Sequence, residues 1–289
     1  MDSPAPIPLG DRLQALALRG LIGGLLRLPY RLRVPLCGWV VSRLIAPVAG
    51  WRRRIRANLA LIRPAMPPAE VQAITRAVPD NFGRTIIETW SGAEFAARAA
   101  AQPLTGPGLA ALEAARDAGR PAIVITAHFG NYEAVRVALL ARGCRLGGLY
   151  RPLDNRALNP AYEAALLRLG QPIFPRGKAG LTAMVRHLRS GGMIEMLIDQ
   201  HMAHGTPMPF LGQPAKTALT AAEMALRHDA ILVPAYGIRR ADGLSFDVVV
   251  EDPIPPGTPE AMTQALNDSL GRLVDRHPGQ WLWIHRRWK

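Results

Sequence analysis

From residue 121 onward the apolar and polar positions follow two rhythms in turn. Short apolar runs, "PAIVITA" (121–127), "CRLGGLYR" (144–151), "MIEMLID" (193–199), "AILVPAYGIRR" (230–240) and "LSFDVVVE" (244–251), have the length and composition of strands. Between and after them, apolar residues recur at helical spacing over 131–142, 159–170, 179–192, 218–229 and 259–277. Pro160 stands in the first turn of the second of these helices, and Gly170 closes it. Upstream, "LAALEAARDAGR" predicts a helix ended by Gly119, and residues 70–101 predict another, with "QPLTGPG" as the hinge between them. Residues 200–217 read as a loop. Such alternation predicts an α/β fold, a mostly parallel central sheet with helices on both faces.

Residues 1–63 obey a different pattern. Leucine, valine and isoleucine are interleaved with arginine, and "RPAMPPAE" (63–70) separates this segment from the helix expected over 70–101. The expected organisation is therefore a basic amphipathic helical extension, 1–63, on one α/β domain, 64–289. Charge sharpens the picture. The chain carries +13, and its first 63 residues hold eleven arginines against Asp2 and Asp11. A segment of that kind seeks nucleic acid, acidic headgroups or an acidic protein.

No uncharged run in it reaches the roughly 18 residues of a spanning helix. Basic and apolar residues in alternation, with Trp39 and Trp51, suit a segment lying in the headgroup layer. The alternative is a buried helical hairpin with a solvated arginine face. Nucleic acid is disfavoured, because no stacking or groove-reading module accompanies the basic stretch. "MDSPAPIPLGDRLQ" lacks the basic start and apolar core of a signal peptide, so a cytoplasmic-side location is expected. Cys37 and Cys144 lie far apart in no motif, which fits a reducing compartment and suggests neither a disulfide nor a metal framework.

The chemistry collects where strands end. In "TAHFGNYE" (126–133), His128 follows a strand and Glu133 opens the next helix. A carboxylate can orient an imidazole through one ring nitrogen and leave the other free to take a proton from a hydroxyl. Gly130 permits close backbone approach, Asn131 is a helix cap, and the amides that open the helix are candidate oxyanion donors. The alternative is a packed histidine and a solvated glutamate. No serine or cysteine occupies a strand-to-helix elbow, so direct attack by a substrate hydroxyl on an activated acyl group is implied.

Arg151, in "LYRPLDN", ends another strand and is suited to a phosphate or an oxyanion; a surface arginine before a turn is the alternative. Arg176 and Lys178 precede a helix start, a candidate anion site. Asp199, His201 and His204 could instead hold a divalent metal and make a hydrolase, although their spacing matches no strong metal pattern. The tail "PGQWLWIHRRWK" suits a headgroup-level anchor. It also suits a helix end that buries Trp281 and Trp283 and solvates Arg286, Arg287 and Lys289.

Taken together, "HFGNYE", "YRPLDN", "LIDQ" with "PFLGQPAKT", and "GQWLWIHRRWK" resemble the blocks of the bacterial lipid A biosynthesis acyltransferases, the late lauroyl/myristoyl transferases. The likeness runs in order over roughly residues 50–289, and Asn58 and Leu59 also sit where that family often has such a pair. The resemblance implies transfer of a fatty acyl chain from acyl carrier protein to a hydroxyl of a lipid A precursor. This would occur at the cytoplasmic face of the inner membrane, without metal or other cofactor. It implies His128 as base with Glu133 as its partner, Arg151 binding or polarising, and Asp199 with Gln200 in the site lining. Many members begin with a clearer apolar anchor, so interfacial attachment is expected here. A glycerophospholipid acyltransferase acting on lysophosphatidic acid, or a lipid-binding protein without turnover, are the competing functions.

Overall fold

A computed structural model describes residues 7–289; Asp2 and the rest of the first six residues lie outside the described residues. The strands are β1 (Leu104–Thr105), β2 (Ala122–Thr126), β3 (Leu146–Tyr150), β4 (Ile173–Pro175), β5 (Met193–Leu197), β6 (Thr206–Phe210), β7 (Gln213–Thr217), β8 (Ile231–Arg239) and β9 (Phe246–Val250). Seven form one sheet in the order β1-β9-β8-β2-β5-β3-β4. Every neighbouring pair in it is parallel except β8 with β9. The α/β expectation is met.

β2 lies in the middle and is buried along its whole length, as a strand covered on both faces must be. Its side chains alternate between two cores. Ala122 and Val124 join Val135, Ala138 and Leu139 of helix Tyr132–Ala141 on one face. Ile123 and Ile125 pack on the other with Met184, Leu188, Ala222 and Leu266, from the helices Lys178–Arg189, Thr220–Arg227 and Pro259–Arg276. Two layers of helix therefore fix β2, and with it the turn that leaves its carboxyl end.

Three departures from the sequence pattern have local causes. The helix expected over 70–101 is two helices, Pro68–Trp90 and Ala93–Ala100, parted at Gly92 with φ 55°. β1 and β4 are short edge strands without an alternating signature. The expected loop 200–217 contains the antiparallel ribbon β6–β7. Its prolines 207, 209 and 214 cannot donate to a ladder, and they mask the ribbon in the sequence. Leu211 and Gly212, with φ 51° and 80°, make the two-residue turn.

The N-terminal helices, Leu9–Leu26, Tyr30–Val40 and Trp51–Ile62, pack onto this body. Tyr30, Val34, Cys37 and Val41 share a core with Ile87 and Phe95. Ile55, Leu59 and Ile62 share one with Trp281 and Trp283. Where Tyr30–Val40 crosses Pro68–Trp90 the backbones nearly touch, and a Cβ on Gly83 would stand 2.8 Å from the Cys37 carbonyl. The outer face is different. Leu13, Leu16, Leu32, Leu36, Trp39 and Val48 are exposed, with Arg12, Arg19, Arg31 and Arg43 exposed among them. Among the described residues no single helix is long and apolar enough to cross a membrane; one pair, Tyr30–Val48 with Trp51–Ile62, bent by 85°, has the combined length and composition.

Helix Pro68–Trp90 is tied to the sheet by a buried ion pair. Arg239 at the end of β8 donates from Nη1 and Nη2 to the two carboxylate oxygens of Glu88, at 2.6 and 2.7 Å, and from Nε to Asn81 Oδ1 at 2.8 Å. Replacing Arg239 by Met strands the Glu88 charge and is expected to cost about 3–5 kcal/mol. The double variant Glu88→Leu/Arg239→Met is expected to recover most of that loss, both read by thermal denaturation.

Candidate active site

The carboxyl end of β2 passes through residues 127–131 into helix Tyr132–Ala141. The turn is held from several sides. Gly130 has φ 52°, and a Cβ there would lie 2.0 Å from the Gly237 carbonyl oxygen, so only glycine fits. Its carbonyl accepts from Asn81 Nδ2 and Thr85 Oγ1, both at 2.9 Å. Asn131 caps the helix by accepting the Glu133 N–H at 3.0 Å, and its Nδ2 donates to Glu88 at 2.7 Å. The Arg239–Glu88 pair therefore reaches the turn itself. Leu282 N donates to the His128 carbonyl at 2.9 Å, tying the tail to the same turn.

His128 does not use the carboxylate expected of it. Its Nδ1 lies 2.9 Å from Asp199 Oδ1, and its backbone N–H donates to Asp199 Oδ2 at 2.9 Å. Trp281 Nε1 donates to Oδ2 as well, at 3.0 Å. Asp199 follows β5, which pairs in parallel with β2, so the two strand ends deliver the acid and the imidazole side by side. Glu133 instead accepts from Nε and Nη2 of Arg136, at 2.9 and 2.7 Å. Positions three apart share a helix face, and Arg136 is the nearer partner.

Electrostatics follow from this packing. Burial would raise the Asp199 carboxyl, but the charge and hydrogen bonds of His128, with a smaller contribution from His285, hold it well below the usual carboxylate range. The ring of His285 stands 4.6 Å from that of His128, centroid to centroid. Burial, then the His128 charge, push His285 down to about 4, so it is neutral at pH 7, and its Nε2 has no hydrogen-bond partner among the described residues. Ligand atoms of His128, Asp199 and His285 lie within 4.8 Å of one another. Among the described residues this is the cluster with cation-binding potential; the grouping of Asp199 with His201 and His204 does not form one.

A cavity of about 370 Å³ opens beside His128, within the range of small-molecule sites. His128, Glu133, Arg151, Arg176 and Gln200 line it, together with Leu149, Leu166, Ile173, Leu181, Met196 and Leu197. Its lining includes neither serine nor cysteine. Cys37 and Cys144 are buried, and burial raises both thiols, Cys37 to about 11. Arg151 is exposed and ion-paired with Asp154, and Arg176 is exposed too.

Four expectations need correction. Asp199 does not line the cavity but stands buried behind His128. Gly130 and Asn131 frame the turn and do not face the cavity. Of the amides around the turn, those of His128, Gly130, Asn131 and Glu133 each bond to protein oxygens, so none of these four is free as an oxyanion donor. Arg287, placed in solvent by one of the two readings of the tail, is fully buried and donates to Lys216 O at 2.7 Å and Thr217 Oγ1 at 2.6 Å. The tail therefore clamps β7 and the site. Sequence reading passed over His285 as a site residue, and Arg136, whose only signal is its i+3 spacing from Glu133.

The family model described as bacterial lipid A biosynthesis acyltransferase matches residues 15–289. The chain is 23% identical over 245 residues to the phosphatidylinositol mannoside acyltransferase of Mycobacterium tuberculosis, covering 83% of this chain and 78% of that one. It is 22% identical over 180 residues to the lipid A biosynthesis acyltransferase of Haemophilus influenzae, covering 61% and 56%. With the lipid A biosynthesis lauroyltransferase of Escherichia coli the identity is 26% over 148 residues, covering 49% and 48%.

A histidine whose folded-state value is depressed stabilises the fold fully above its unfolded value and loses that contribution as pH falls toward the folded one. For His285 the window runs from its ordinary 6.5 down to about 4, and the effect is up to roughly 3 kcal/mol. Denaturant unfolding across that window is expected to show a stability loss on acidification that is smaller in His285→Asn.

Proposed function

This chain belongs to the bacterial lipid A biosynthesis acyltransferase family, and we propose that it moves a fatty acyl chain from an acyl thioester to a hydroxyl of a lipid A precursor. It is an acyltransferase of lipid biosynthesis; donor, acceptor and mechanism are the proposal. The observation that carries the mechanism is a histidine fixed through Nδ1 by a buried carboxylate at the edge of an apolar cavity whose lining holds no serine or cysteine.

The chain lies in the cavity with the thioester carbonyl beside His128. Nε2, the ring nitrogen not held by Asp199, takes the proton of the acceptor hydroxyl as its oxygen bonds to the carbonyl carbon. Asp199 stabilises the imidazolium that forms. The tetrahedral intermediate collapses, the carbon–sulfur bond breaks, and the imidazolium returns its proton to the leaving thiolate. Arg151 and Arg176, at the cavity rim, bind the phosphates of donor or acceptor. Acyl carrier protein is the proposed donor, since its acidic surface suits a chain of net charge +13. No metal or other cofactor is required in this scheme.

Attachment is interfacial, at the cytoplasmic face of the inner membrane. Exposed Leu13, Leu16, Trp39 and Val48, with arginines around them, have the composition of a surface set into the headgroup layer. A second acceptor is favoured by the relatives: a mannosylated phosphatidylinositol, the lipid named for the mycobacterial proteins.

The reaction test presents radiolabelled acyl–carrier protein, or acyl-coenzyme A, with a tetra-acylated, sugar-modified lipid A precursor, a phosphatidylinositol mannoside or lysophosphatidic acid, with and without EDTA. Wild type is expected to acylate the lipid A precursor and to be indifferent to EDTA. His128→Ala is expected to lose several orders of magnitude, and Asp199→Asn about 10²- to 10⁴-fold. Near-normal turnover in His128→Ala ends the base assignment, and preference for another lipid replaces the acceptor. Sedimentation with vesicles containing anionic lipid tests attachment: Leu16→Ser/Trp39→Ser/Val48→Ser is expected to bind at least about tenfold more weakly while unfolding at the wild-type temperature.

A further inference from the structure

The cavity has an acid in its wall that the chemistry above does not use. Glu195 lies on β5 in register with Gly148 of β3 and Val124 of β2, and is only 3% exposed. It lines the same cavity as His128. One of its carboxyl oxygens, Oε1, is buried and has no hydrogen-bond partner among the described residues. The cation nearby is already engaged: Arg136 gives Nε and Nη2 to Glu133, and reaches the Gly170 and Leu166 carbonyls at 3.0 and 3.3 Å. Two carboxyl groups thus share one guanidinium, and Glu133 has it. Burial first, and then the Glu133 charge, outweigh Arg136 and raise Glu195 well above the usual range. In its neutral form the group would offer both a proton to donate and an oxygen to accept.

An orphan of this kind is rare in a folded protein. A plain hydrocarbon lying against Leu149, Leu166 and Ile173 would cover it and leave it unsatisfied. We infer that the cavity selects an acyl chain bearing a hydroxyl group, which exchanges a hydrogen bond with the Glu195 carboxyl. The inference rests on the reading of this cavity as the acyl-chain site. Glu195 is four residues before Asp199, about 13 Å of extended strand. The hydroxyl it meets therefore sits on the body of the chain, beyond the carbons next to the carbonyl.

The test is binding of free fatty acids to the wild-type protein by calorimetry: dodecanoate, and hydroxydodecanoates with the hydroxyl moved from the second carbon to the last. One isomer substituted beyond the third carbon is expected to bind about 10- to 100-fold tighter than dodecanoate. Glu195→Leu is expected to remove that preference, and Glu195→Gln to keep part of it. Glu195→Leu should also unfold at a higher temperature than wild type, since it removes a buried unpaired acid. Equal or tighter binding of dodecanoate overturns the inference, as does a preference that survives Glu195→Leu. A water held by Glu195 in place of the substrate hydroxyl would give the first of those results. Because free acids need no turnover, a hydroxyl preference without transfer from any thioester would count against the acyltransferase mechanism alone. Transfer of plain and hydroxylated chains at equal rates, with equal binding, would count against the hydroxyl site alone.

Discussion

The buried carboxylate of Asp199 is where the architecture converges. It accepts the His128 backbone N–H, faces the His128 ring at Nδ1, and accepts the Trp281 indole N–H. These three contacts join the ends of two neighbouring parallel strands to a tail 82 residues downstream of the acid. A carboxylate out of water has to be met by donors on every accessible lone pair. The same contacts that make its burial tolerable also fix the ring's orientation.

The surroundings repeat the device at a distance. Glu88 and Arg239 hold helix Pro68–Trp90 against β8, and Asn131 carries that pair into the turn after β2. Arg287 anchors the tail to β7. Phe210 of β6 stacks on Trp288 and meets Trp281 edge-on, so the ribbon and the tail form one wall. The N-terminal helices complete the body from the other side, since Asn58 Nδ2 donates to the carbonyls of Trp283 and His285 at 2.7 and 2.9 Å. The arginine-rich segment thus has two faces, one packed against the tail that supports the site, the other apolar and exposed.

Two histidines beside one carboxylate divide their work by environment. His128 has the direct contact with Asp199; His285 is buried, and burial above all keeps it neutral. Deeper in, the contest of two acids for Arg136 has a comparable result, with Glu133 paired and the Glu195 carboxyl raised by burial and by the Glu133 charge. Similar side chains a few ångströms apart acquire different chemistry from solvation and from who reaches the counter-charge first.

Much of this was legible in the chain alone. Apolar runs alternating with helical spacing specified the α/β order, because strands covered on both faces must be apolar throughout. That order put His128 and Arg151 at carboxyl ends of parallel strands, and "HFGNYE" with the tryptophan-rich tail carried the family likeness. The ribbon β6–β7 was hidden because its prolines erase the alternation that marks a strand. What only the tertiary structure decided was pairing. Local spacing offered Glu133 to His128, yet the helix gave Glu133 to Arg136. The acid that holds the imidazole arrived from 71 residues away. Strand adjacency in a parallel sheet is set by crossover connections and is not written in neighbouring residues. The partners of buried charges, fixed by that adjacency, had to be read from the fold.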